Sequence, residues 1–172
     1  RFSEGSLSDS EGYMYFPCNK GGVEKALNGI LKFDDKGNYE VLCKGIRGFY
    51  LDKDKEGRIL YMTQKLGLWV LPKDKKGVDP NDWIKIDASK GLEMEVLRTG
   101  LQDHNGNYWM GGHLEGLAVY LPKRDTVLNW LKDVDKDNVR VRSMAEDIRG
   151  NLWLGTEKGL FFFENNKAPS SL

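Results

Sequence analysis

Residues 146–156 read EDIRGNLWLGT, and the same pattern occurs three times upstream, as SDSEGYMYFPC at 8–18, DKDKEGRILYMT at 52–63 and QDHNGNYWMGG at 102–112. In each copy an Asp (Asp9, Asp54, Asp103, Asp147) precedes a Gly (Gly12, Gly57, Gly106, Gly150) by three positions. A large apolar or aromatic residue (Tyr15, Leu60, Trp109, Trp153) follows that Gly by three. The four glycines stand 45, 49 and 44 residues apart. An Asp-x-x-Gly step between β-rich runs suits a tight turn, with the carboxylate accepting local backbone N–H groups and Gly taking positive φ. These aspartates therefore read as structural.

Further along each copy, Gly29-Ile30, Gly67-Leu68, Gly116-Leu117 and Gly159-Leu160 open the apolar runs ILKF, LWVLP, LAVYLP and LFFF. A last short run follows in the first three copies, at 39–42, 83–86 and 127–131, and another precedes each Asp, as at 141–145. Four strands per unit at a period near 45 is the signature of a β-propeller, in which each small sheet buries its faces against its neighbours. The expected fold is all-β: one partial propeller domain over 1–172, of about four four-stranded antiparallel blades. The blades are expected at roughly 1–47, 48–92, 93–137 and 138–172, the last incomplete because no obvious strand follows Phe163. Trp109 and Trp153, repeated mid-strand, read as buried inter-blade packing rather than as sugar-stacking platforms.

Composition fits this reading. Gly supplies 20 of 172 residues, above the usual ~7%, and lies between apolar runs rather than in a linker, which implies many tight turns. Lys plus Arg and Asp plus Glu each number 26, so no net field draws the segment to nucleic acid. No run of eighteen apolar residues offers a membrane span. Cys18 and Cys43 fit neither a metal nor a disulfide pattern. Because the chain opens at Arg1 without Met or an apolar leader, its true N-terminus is expected elsewhere.

The stretch GNLWLGTEKGL at 150–160, preceded by VRSMAED at 141–147, resembles the two-component regulator propeller repeat; GNYWMGGHLEGLAVY at 106–120 is a second match. GRILYMTQKLGLWVL at 57–71 is looser and the first copy diverges. The resemblance implies one portion of a seven-bladed propeller in the periplasmic sensor region of a hybrid two-component sensor kinase. Its implied partners are a glycan-derived oligosaccharide, the missing blades and the downstream signalling domains of a longer chain. Kinase activity would lie outside these residues.

No catalytic, metal or cofactor set emerges. His104 and His113 are the only histidines and have no paired Cys or nucleophile-elbow Ser. Asp133-x-Asp135-x-Asp137-Asn138 resembles the start of a calcium loop, and Asp52-x-Asp54 does so more faintly. The twelfth position of the first is Met144 where a bidentate Glu is needed, so it reads as a solvated loop. The candidate ligand site follows from propeller geometry. If Asp-x-x-Gly joins the first two strands, the opposite rim carries Gln64, Lys65, His113, Glu115, Glu157 and Lys158, with Phe49, Arg98 and Arg142 at the starts of first strands. The extra residues within 19–28 are expected to add a lid there. Two arginines each standing eight residues before their repeat's Gly would lie side by side, able to clamp a carboxylate, a sulfate or sugar hydroxyls. The alternative is that they pair with Glu95 or Glu146 and only hold blades together. A propeller scaffold for protein interaction without a small ligand, and less favourably a polysaccharide lyase, are the competing functions. An open arc is also expected to self-associate through its end faces.

Overall fold

The computed structural model describes residues 5–19, 28–130 and 140–164. Each repeat forms one antiparallel meander. The first contains β1 (Leu7–Ser8), β2 (Met14–Cys18), β3 (Gly29–Phe33) and β4 (Tyr39–Leu42); the second, β5 (Gly48–Lys53), β6 (Ile59–Thr63), β7 (Leu68–Leu71) and β8 (Ile84–Ile86). The third contains β9 (Leu97–Gln102), β10 (Tyr108–Gly112), β11 (Leu117–Leu121) and β12 (Thr126–Trp130). The fourth has β13 (Val141–Glu146), β14 (Leu152–Thr156) and β15 (Gly159–Phe163), with no fourth strand among the described residues. The fold is thus nearly all-β, and the described residues include short 3₁₀ turns at 80–82, 88–90 and 122–124. The first strands β5, β9 and β13 lie against one another and line the inner side of the arc.

The period-two alternation of each strand sends successive residues to opposite neighbouring blades. Tyr15, Ile30 and Leu42 meet Leu51, Tyr61, Trp69 and Trp83 between the first and second blades. Leu60, Met62, Leu68, Val70 and Ile86 meet Leu97, Tyr108, Met110 and Ala118 between the second and third. Trp109, Leu117 and Val119 meet Val141, Leu152 and Leu154 between the third and fourth, with Phe161 and Phe163 packed alongside. Each interface between blades is a buried apolar layer, so burial of these side chains holds the blades together.

The repeated Asp does more than shape its turn. Asp103 is wholly buried; its Oδ1 accepts the N–H groups of Asn105 and Asn107 (2.9 Å each), and its Oδ2 accepts Asn107 Nδ2 (2.9 Å) and Trp109 Nε1 (2.8 Å). Asp147 repeats the set with Arg149, Asn151 and Trp153, and Asp9 binds Glu11, Tyr13 and the Tyr15 hydroxyl. Leu60 has no polar atom to offer in the second blade. There Arg58 Nε (2.6 Å) and the Tyr108 hydroxyl of the next blade (3.2 Å) donate to Asp54 Oδ2 instead. The turn glycines all have positive φ, 75° to 90°, as the turn requires. A fifth turn of the same construction, Asp34 to Asn38, joins β3 to β4.

Neighbouring turns are also braced across blades. Lys55 N–H donates to Gln102 Oε1 (2.9 Å), and His104 N–H to Glu146 Oε1 (2.9 Å), with His104 Nδ1 2.6 Å from the same oxygen. The His104 ring lies so close to Gly150 that a Cβ there would stand 2.6 Å from it.

One expectation is corrected. Trp153 keeps the Trp109 position and the Asp bond but is only half-buried, because no further blade among the described residues covers that face; its ring rests on Phe162 at 4.7 Å instead. In the Asp52-x-Asp54 pair, Asp54 accepts from Arg58 and Tyr108, and Asp52 accepts the N–H of Lys53. The Asp133–Asn138 run and the centre of the 19–28 insertion lie outside the described residues.

Candidate functional site

Each of the last three first strands carries a one-residue bulge at the same place. Gly48 pairs with Thr63 and Tyr50 with Met62, leaving Phe49 unmatched; Leu97 and Thr99 pair with Gly112 and Gly111, leaving Arg98; Val141 and Ser143 pair with Thr156 and Gly155, leaving Arg142. A bulge leaves its residue outside the ladder and re-aims the side chain. Phe49, Arg98 and Arg142 are therefore displayed by the same backbone device, at the end of the strands away from the Asp-x-x-Gly turns.

The displayed groups interact from blade to blade. The Arg98 guanidinium carbon lies 3.8 Å from the centroid of the Phe49 ring, and that of Arg47 5.7 Å from the same ring, so Phe49 is a cation–π platform. Arg142 forms an ion pair with Glu157 from the β14–β15 loop, and Arg140 joins it at 3.4 Å. The acids suggested as alternative partners are engaged elsewhere: Glu95 lies 4.0 Å from Lys65, and Glu146 holds His104 on the opposite rim. Asn19 clasps the backbone of Gly48 through both ends of its side-chain amide, fixing the first bulge.

His113 sits among these charges. Partial burial first, and then the nearby Arg98, Arg140 and Arg142, hold its imidazole below its ordinary value of 6.5, with Glu115 opposing. Its Nδ1 is buried without a hydrogen-bond partner among the described residues, while its backbone N–H binds Val96 O at 2.9 Å. Glu115 anchors the preceding linker by accepting the N–H groups of Glu95 (3.2 Å) and Val96 (3.4 Å). Gln64 N–H donates to Arg47 O (2.7 Å) and Lys65 N–H to Glu95 O (2.5 Å); Lys65 takes a positive φ of 68° and keeps its ammonium exposed.

The structure thus brings these sequence-selected residues to one rim. Arg98, Arg142 and His113 form its basic centre, while Gln64, Lys65 and Glu115 brace the loops around it. Sequence reasoning missed the clustering of Arg47 and Arg140 and the platform role of Phe49. Their nearness in sequence to the repeated first-strand position was the available signal.

The family pattern described as two component regulator propeller matches residues 135–158. No curated protein matches the sequence. Among solved structures, the extracellular domain of a putative hybrid two-component system from B. thetaiotaomicron superposes with a TM-score of 0.73 at 18% identity, over 96% of this chain and 22% of that one. A second such domain from the same organism gives 0.71 at 16% identity, over 94% and 23%. Virginiamycin B lyase from Staphylococcus aureus gives 0.63 at 11% identity, over 93% and 54%. At these identities the likeness is one of fold. The chain spans less than a quarter of the two sensor domains. With four Asp-x-x-Gly repeats folded as consecutive blades, the chain is a segment of β-propeller, and its residues 135–158 match the two-component regulator propeller pattern.

Proposed function

We propose that this chain is a non-catalytic, ligand-sensing propeller segment from the periplasmic sensor region of a hybrid two-component sensor kinase. Its ligand is a glycan-derived oligosaccharide held on the rim of Arg98, His113 and Arg142. The observation that carries this reading is the bulge repeated in three successive blades, which turns Phe49, Arg98 and Arg142 out of their ladders at one rim. A bulge weakens local pairing, and its recurrence beside a cluster of cations favours recognition over packing. The family match and the fold shared with sensor domains support the setting. Arginine forks and an aromatic ring suit a sugar bearing carboxylate or sulfate groups.

Calorimetry of acidic and neutral oligosaccharides, with wild type and the Arg98→Ala/Arg142→Ala double variant, tests the assignment. The expected result is binding of an acidic oligosaccharide that the double variant loses by about tenfold or more. Undiminished binding in that variant would place the site elsewhere. A second reading, a scaffold for protein contacts, is favoured by the exposed apolar faces at the two ends of the arc. It predicts no oligosaccharide binding at all.

A further inference from the structure

A cleft of about 350 Å³ opens between the second and third blades on the Asp-x-x-Gly side, away from the arginine rim. Its apolar wall is Val70, Ile84 and Ile86 of the second blade; Tyr108 and Tyr120 face it from the third. The volume lies within the range of small-ligand sites, roughly 300–1,000 Å³.

The neighbouring interface explains why the space exists. Ile86 pairs with Leu68 and Trp130 with Leu117, so the two occupy equivalent places on the fourth strands. Tyr120 and Phe163 are likewise equivalent, each three residues beyond the Leu that follows the third-strand Gly. Between the third and fourth blades Trp130 stacks on Phe163 with centroids 4.5 Å apart. Between the second and third blades Ile86 stands where the indole would be, and Tyr120 lacks that stacking partner. Tyr120 is held in place by its hydroxyl bond to Asp125 Oδ1 (2.6 Å) and lies 6.2 Å from the Tyr108 ring. Of the charged groups lining the cleft, Arg58 is shared between Asp54 at 2.6 Å and Glu56 at 3.2 Å, and Lys123 has no ion-pair partner among the described residues.

We propose that this cleft binds a small planar aromatic carboxylate about the size of indole acetate. Its ring stacks on Tyr120 as Trp130 stacks on Phe163, and its carboxylate lies toward Lys123. The site is separate from the sensing rim and does not depend on it.

Titration of the intact chain with indole-3-acetate, followed by calorimetry and saturation-transfer NMR, is the test; free indole and glucose are the comparison probes. Indole-3-acetate is expected to bind more tightly than indole, and glucose not at all. Tyr120→Leu is expected to weaken binding by about tenfold and Tyr120→Phe to preserve it, since the ring supplies the stacking. Ile86→Trp is expected to fill the cleft and abolish binding without lowering the melting temperature; if it does not fold, the Tyr120 pair still decides. Arg98→Ala/Arg142→Ala should leave this binding unchanged, which separates it from the rim. Absence of binding at millimolar indole-3-acetate, equal binding of glucose, or unaltered affinity in Tyr120→Leu would overturn the proposal.

Discussion

A single carboxylate in each repeat joins turn, strand and blade face, and its chemistry is exposed to pH. Asp147 accepts the Trp153 indole N–H, then the backbone and side-chain N–H groups of Asn151, and these bonds hold its carboxyl down from an ordinary 3.8 to about 2. A carboxyl depressed by folding contributes stability that is complete above its unfolded value and is lost as pH falls through its folded one. The contribution of Asp147 is therefore full above about pH 4 and fades toward pH 2. An NMR titration of the Trp153 indole N–H resonance is expected to show a midpoint near 2; a midpoint near 4 would mean that the carboxylate makes no such bonds. Asp34, bonded first to the Asn38 side chain in the fifth turn, is shifted in the same direction.

At the level of strands and blades, the two repeated tryptophans separate what the repeat specifies from what burial adds. Trp109 is wholly enclosed, so Trp109→Ala removes an indole from a packed core and is expected to cost about 3–5 kcal/mol in chemical denaturation. Trp153 makes the same Asp bond on a half-open face, and Trp153→Ala is expected to cost only about 1–2 kcal/mol. Equal losses would show that the end face is covered. The turns and blade order were legible in the sequence because Asp, Gly and the strand alternation act within a few residues. The bulges were not: Phe49 shares no side-chain chemistry with Arg98 and Arg142, and an unmatched residue is visible only once both strands are registered. The Arg98–Phe49 stack and the Arg142–Glu157 pair likewise depend on where separate elements meet. The half-exposure of Trp153 could not be read from a motif that it shares with buried Trp109.

At the scale of the whole molecule, the first and last blades each present a group of exposed apolar side chains among the described residues. The first blade exposes Met14, Phe16 and Tyr39, with Phe33 in ring contact with both aromatics. The last exposes Leu160 at 67% and Phe162 at 48%, beside the half-buried Trp153. Multi-angle light scattering of the isolated segment is expected to show self-association at micromolar concentration; a clean monomer there, with no binding of an apolar-surface dye, would contradict it. The ends differ in composition, one a cluster of Phe, Tyr and Met around Lys32, the other Trp, Phe and Leu. A contact joining them is head-to-tail, leaving each new copy with the same two ends still open unless the rotation brings the last back to the first. Such a contact has two assembly outcomes: a closed ring, of which two arcs related by a two-fold axis are the smallest, or a filament that lengthens with concentration.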